Sequence, residues 1–405
     1  MDDRNAVEVT ATRPTAPARA AYNYAVGYLR GSAILLVIVG HSFLGYYPGP
    51  FPFPEHVRRM AYPVLDPHRF KGSRTFNGFD DIYLMALIFF LSGLFVLGSL
   101  RRKGAGGYLR DRMLRLGLPF LVSALVVSGI AYYPSYLQSH PAGGGSLANY
   151  FATWQTPLQW MSGAAWFIGA LLLYDCVLSA VQAFAPGILD WISKLCAGSN
   201  DTLRFYALVV GLSAIAYLPM VVIFGAYDWF NLGPFWIQKC RVLLYGLYFF
   251  LGAGVGGAGL STSLAAPGSN LAKRWYAWAI AAILVFLVAG NLQLLSLNHH
   301  TYDDPLWRLI VGVGWILSCA TSAFALLAIF VRFANTPNRV FESLSTNSYG
   351  MYLTHYAMVT WTQYALLASS IPPLTKALAV IAVAAAGSWL LTMALRWIPA
   401  VARII

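Results

Sequence analysis

Arg30 and His41 sit eleven positions apart within one apolar run, Tyr28–Tyr47. At about 100° per residue, eleven helical steps make roughly three turns plus 20°, so both side chains lie on one face. A rise of about 1.5 Å per residue places His41 roughly 16 Å beyond Arg30, near the centre of a hydrocarbon layer roughly 30 Å thick. An ionisable side chain at that depth is costly and faces a protein interior or a water-filled cavity. An imidazole has an ordinary pKa of about 6.5, so it can take a proton from an attacking hydroxyl near neutral pH. The plainer reading is a neutral histidine that hydrogen-bonds a neighbouring helix.

Four further groups bear on chemistry. Ser348, Tyr352 and His355 fall on one face of a helix expected over 348–370, with His355 roughly 10 Å in from its start. That depth is shallower than His41, though His355 is positioned to line the same cavity. Arg112 and Arg115, one turn apart, orient the chain by charge and are also suited to clamping a phosphate through bidentate contacts. Asp175 lies inside an apolar run and is either paired across the bundle or part of a polar path. Asp80 and Asp81 are expected at a solvated helix end. Ser92-Gly93 interrupts a bulky run and points to close helix packing. No HExxH, phosphate loop or Ser-His-Asp spacing is present, and the four cysteines have no metal-ligand spacing.

The elements that must hold these residues are membrane helices. Of 405 residues, 58% are hydrophobic and only 10% charged, the balance of an all-α polytopic membrane bundle rather than a soluble enzyme. Ten spans are expected, at about 28–47, 79–100, 113–133, 164–185, 205–225, 241–259, 276–297, 308–331, 348–370 and 375–398. The sixth is Gly-rich and a candidate for a broken helix. The net charge of +12 comes from short loops between apolar runs, which argues against nucleic acid. Residues 1–22 read as a disordered cytoplasmic tail and 23–405 as one membrane domain, with the first span retained rather than cleaved.

Orientation follows from the basic residues. With the N-terminus in the cytoplasm, 18 Lys and Arg fall inside and 9 outside, and loop 134–163 has none. Both termini are therefore expected in the cytoplasm. The loop 48–78 opposes this with five basic residues; rich in Pro and aromatics, it is expected to be non-helical and to fold over the outer face. Its aromatics suit an interfacial belt or a sugar-stacking surface.

The ordered set LRGSAILLVIVGHS, FFLSGLFV, YLRDRMLRLGLP, AWFIGALLLY and NSYGMYLTH resembles the acyltransferase 3 family of bacterial integral membrane enzymes. The first segment holds the family's arginine, ten residues, then histidine. One departure is Gly27, where many relatives carry an acid. The resemblance implies an O-acyltransferase of the bacterial inner membrane, moving an acyl group from cytoplasmic acyl-CoA to a hydroxyl of a periplasmic or cell-envelope carbohydrate. Acyl-CoA is then a donor substrate, with no permanently bound cofactor. His41 and Arg30 become the functional pair, Arg112 and Arg115 the donor site, and Ser348, Tyr352 and His355 further substrate contacts. Helix number and the long outer loop are similar to the branch that modifies periplasmic glucans. Acyl group, acceptor and oligomeric state stay open. The alternatives are a transporter or flippase of an acylated or lipid-linked saccharide, with inverted repeats and broken helices, and a non-catalytic scaffold.

Overall fold

The computed structural model describes residues 23–49, 51, 55–140, 145–154 and 162–405. The tail 1–22 and the segment 155–161 lie outside them. Among the described residues ten long helices form the bundle: α1 Tyr24–Leu44, α2 Lys71–Gly93, α3 Val96–Ser139, α4 Gly163–Phe184, α5 Thr202–Phe224, α6 Val242–Ala258, α7 Trp275–Asn298, α8 Pro305–Phe333, α9 Arg339–Ala365 and α10 Pro373–Leu395. Among the described residues, nine of these are long and apolar enough to cross a membrane. The exception is α9, whose Ser, Thr, Asn, Tyr, His and Gln dilute its apolar content. Its buried face packs on α1 and α10 instead of lipid.

Several boundaries differ from the sequence expectation. α1 stops at Leu44 because the chain turns at Gly45, against which Gln363 of α9 is packed so tightly that an added Cβ would lie 2.7 Å from its Nε2. His41 therefore occupies the last turn of α1, not its middle. α9 begins at Arg339, nine residues before the expected 348, because the Asn338 side chain accepts from the backbone N–H of Val340 and Phe341 and caps it. The loop 48–78 is partly helical, with a short helix Glu55–Ala61 and the first turns of α2. Glu55 accepts from Arg58 and Arg59 within that helix, which draws its carboxyl pKa down to about 2.

The expected break at 101–112 is instead a helix with one bend. Gly104 adopts φ +69°, a conformation costly for other residues, and divides α3 into an arm and a long spanning segment. The bend brings Lys103 onto Asp111, eight residues later, where a straight helix would separate them by about 12 Å along its axis. Two π-helical turns follow, at Met113–Gly117 and Ser123–Val127.

Close packing of α2 on α6 explains the glycines of both. A Cβ at Gly93 would lie 2.1 Å from the Phe249 carbonyl, and one at Gly252 2.1 Å from that of Phe90. Ser92-Gly93 thus marks a helix contact, as its sequence suggests. The Gly-rich sixth helix is continuous over Val242–Ala258; its glycines admit a neighbouring backbone instead of breaking the helix.

At the end of the bundle where α1 finishes, the connections interlock. The hairpin β1 Trp229–Leu232 and β2 Phe235–Gln238 pairs in antiparallel register, with Trp229 opposite Gln238. Lys376 at the start of α10 donates to Asp66 Oδ2 at 2.6 Å, and both side chains are buried. Asp66 also receives the His68 backbone N–H, while its own N–H donates to the Gly45 carbonyl. A buried ion pair holds its geometry because separating it would strand two desolvated charges.

Candidate active site

α1 and α9 run parallel and in register. Near their starts Arg30 donates to the Ser345 carbonyl at 3.5 Å, and near the end of α1 Nδ1 of His41 lies 3.0 Å from Nε2 of His355. Eleven residues on one helix match ten on the other. The shared face of Arg30 and His41 is thus the face α1 turns to α9. The two histidines are at one level: His355 is not shallower, since its helix begins at Arg339 and puts it about 24 Å from that start, against about 26 Å for His41 on α1.

The proton positions of the pair follow from its partners. Nδ1 of His355 is 2.8 Å from the Tyr352 carbonyl, an acceptor only, so this nitrogen carries a hydrogen. In neutral His355 the other nitrogen, Nε2, then has the lone pair and accepts from Nδ1–H of His41. The remaining nitrogen of His41, Nε2, is left as a proton acceptor. The His41 ring also meets Tyr356 edge-on, 5.0 Å between centroids. His355 is fully buried, whereas His41 is half-buried and lines a cavity.

That cavity, about 330 Å³, opens among the interlocked connections. On α1 its wall runs from Val37 to His41 and Leu44, and Tyr352 and Tyr356 of α9 close the same side. Aromatic rings dominate the rest, among them Tyr62, Trp166, Trp229, Trp307 and Trp315. Arg241 stacks over Trp315 at 4.9 Å and forms a bidentate pair with Asp81 at 2.6 and 2.7 Å. Polar groups set among aromatic faces suit a ligand with both apolar faces and hydroxyls.

Other expected site residues are placed differently. Tyr352 lines the cavity and donates to the Ala164 carbonyl, fixing its ring beside the pair. Ser348 is buried and donates to the Ser345 carbonyl of its own helix, outside the cavity lining. Arg30 is exposed and also outside that lining. Arg112 and Arg115 do not face one partner. Arg112 turns inward, its Nε 3.3 Å from Asp175 Oδ2 and its guanidinium over Tyr108, whereas Arg115 is exposed and its carbonyl accepts from Tyr349 of α9 at 2.6 Å. The π-helical turn beginning at Met113 changes the angular step between them. Asp175 is therefore paired: Tyr108 donates to it and Arg112 offsets its charge.

Sequence reasoning missed three features. Asp80 is buried in the cavity wall rather than solvated, because α1 presents Gly40 to it. The Arg241–Asp81 and Lys376–Asp66 pairs join residues 160 and 310 positions apart, for which a single sequence carries no signal.

A family model described as an acyltransferase domain matches residues 23–393, nearly all of the chain. No match was found among the curated proteins or the solved structures.

Proposed function

The chain belongs to the acyltransferase 3 family, and from that premise we propose that it transfers an acyl group from acyl-CoA to a hydroxyl of a cell-envelope carbohydrate across the membrane. The observation that carries the reading is the coupled pair His41–His355 at the wall of an aromatic-lined cavity. A hydroxyl bound in the cavity loses its proton to Nε2 of His41 as its oxygen attacks the thioester carbonyl. The carbon–oxygen bond forms and the carbon–sulfur bond then breaks. The proton passes from His41 to the departing thiolate, giving the ester and free coenzyme A. Through this cycle Nδ1–H of His41 stays on His355, whose own Nδ1–H stays on the Tyr352 carbonyl.

The donor is assigned to the opposite end of the bundle, where Arg30 and Arg115 are exposed beside the first turns of α9. Their charge suits the phosphates of coenzyme A, with Arg112 held in place by Asp175. The pantetheine arm then spans the roughly 16 Å from Arg30 to His41. The excess of basic residues at the donor end supports a cytoplasmic donor site and a cavity mouth on the periplasmic side of a bacterial inner membrane. Aromatic faces with interspersed carboxylate and amide groups favour a carbohydrate over an apolar acceptor.

The test is acyl transfer in proteoliposomes, with labelled acyl-CoA supplied on the donor side. His41→Ala is expected to lower the rate about 10²- to 10⁴-fold, the usual contribution of a positioned base. Transfer at the wild-type rate by folded His41→Ala protein refutes the assignment.

A further inference from the structure

Asp80 has no role in the scheme above, yet it is 8% exposed and lines the same cavity. Its Oδ1 is buried with no hydrogen-bond partner. The neighbouring guanidinium groups do not answer it: Arg241 gives both terminal nitrogens to Asp81 while its Nε reaches no acceptor, and Arg308 donates to Asp303, the Val222 carbonyl and the Tyr302 carbonyl. An uncompensated carboxyl is among the costlier groups to bury.

Its position is set by the residue before His41. A Cβ on Gly40 would lie 2.7 Å from Asp80 Oδ2, so glycine is what lets Asp80 of α2 reach the backbone of α1; Asn77 Oδ1 stands beside it, 3.6 Å from the same point. Asn77 uses its amide hydrogen on the Ser73 carbonyl at 2.9 Å, which leaves Oδ1 as an acceptor. Asn77 and Asp80 are one helical turn apart, and both line the cavity. Oxygen acceptors thus stand against Gly40, the residue before the histidine, in the wall of the cavity that His41 also lines.

We infer that Asp80, assisted by Asn77, binds a hydroxyl of the acceptor adjacent to the one that is acylated, and so selects a polyol with neighbouring hydroxyls. This rests on the function proposed above. A sugar hydroxyl supplies the donor that Oδ1 lacks. Anchoring it fixes which neighbouring hydroxyl stands at Nε2 of His41. Asp80 is then a positioning residue that sets acceptor affinity and the site of acylation.

The test uses the full chain in proteoliposomes, labelled acetyl- or succinyl-CoA, and a β-linked glucan oligosaccharide or the envelope carbohydrate of the producing cell as acceptor. In Asp80→Ala the acceptor KM is expected to rise about twofold to tenfold, as for a lost hydrogen bond, with the donor KM unchanged. Asp80→Asn keeps an oxygen acceptor and recovers most of the loss. Asn77→Ala raises the acceptor KM more modestly and supplies the measurement should Asp80→Ala fail to fold. An unchanged acceptor KM in folded variants overturns the inference, as does a donor KM that rises in step. Absence of transfer by the wild-type protein to either acceptor overturns the proposed function and this inference with it. Wild-type transfer with an indifferent Asp80 overturns only the inference.

Discussion

Replacing His355 tests the coupled pair directly. In the wild-type protein, His355 accepts Nδ1–H of His41 at 3.0 Å and thereby holds His41 with its lone pair on Nε2. His355→Ala removes that acceptor, so His41 is no longer held in one tautomer and its buried N–H lacks a partner. The lost bond matters most when His41 is protonated, where a hydrogen bond to a charged group is worth about 1.5–3 kcal/mol. At about 1.36 kcal/mol per factor of ten, kcat should fall about 10- to 150-fold. His355→Gln can present an oxygen to the same N–H and should regain part of the loss. The assay is initial-rate acyl transfer in proteoliposomes with donor and acceptor varied separately. A double-mutant cycle removes the ambiguity of a simple packing defect. In a His41→Ala background the further change His355→Ala should cost almost nothing, because both act through one proton transfer. Full kcat in His355→Ala, or multiplicative losses in the double variant, would refute the coupling.

Other outcomes follow from the packing and the charges. Lys376→Met strands the buried Asp66 carboxylate and should cost about 3–5 kcal/mol of stability; adding Asp66→Asn should restore much of it in detergent-solution thermal unfolding. Gly252→Leu sets a side chain against the Phe90 carbonyl, where even a Cβ would approach to 2.1 Å, and should abolish accumulation of folded protein on size-exclusion chromatography. Arg115→Ala should raise the KM for acyl-CoA without altering that for the acceptor; an unchanged donor KM removes Arg115 from the donor site. A membrane-impermeant thiol reagent added to the periplasmic side should label Asn149→Cys and spare Gly106→Cys, both exposed positions, and the reverse pattern overturns the orientation.

Much of the architecture is legible in composition and run length, because each apolar stretch must satisfy its backbone hydrogen bonds as a helix. The alignment of Arg30 with His41 is equally legible, since it depends only on helical period. The partner of His41 was harder to place. Starting α9 at 348 rather than at Arg339 makes His355 look too shallow, although Asn338 followed by Glu342 in the first turn is a readable helix start. Asp80 could not be read as buried because its burial depends on a glycine in another helix. The Arg112–Asp175 pair depends similarly on α3 meeting α4, and on a π-helical turn that propensities do not reveal.

The composition of α9 bears on how the protein is made. The helix that supplies His355 lacks the apolar content of the other nine and is a poor candidate for independent partitioning from the translocation channel into lipid. Ser348, Thr354 and Thr362 bond carbonyls of their own helix, but Tyr352, His355 and Ser343 also find partners on other helices of the assembled bundle, at Ala164, His41 and Trp389. Stable insertion of α9 must therefore await its neighbours, including α10, which is synthesised after it. A chain ending at Ala365 should leave this segment unintegrated and open to protease even though eight helices precede it. Biogenesis and activity are thereby linked, since the side chains that make α9 useful also prevent it from entering the membrane alone.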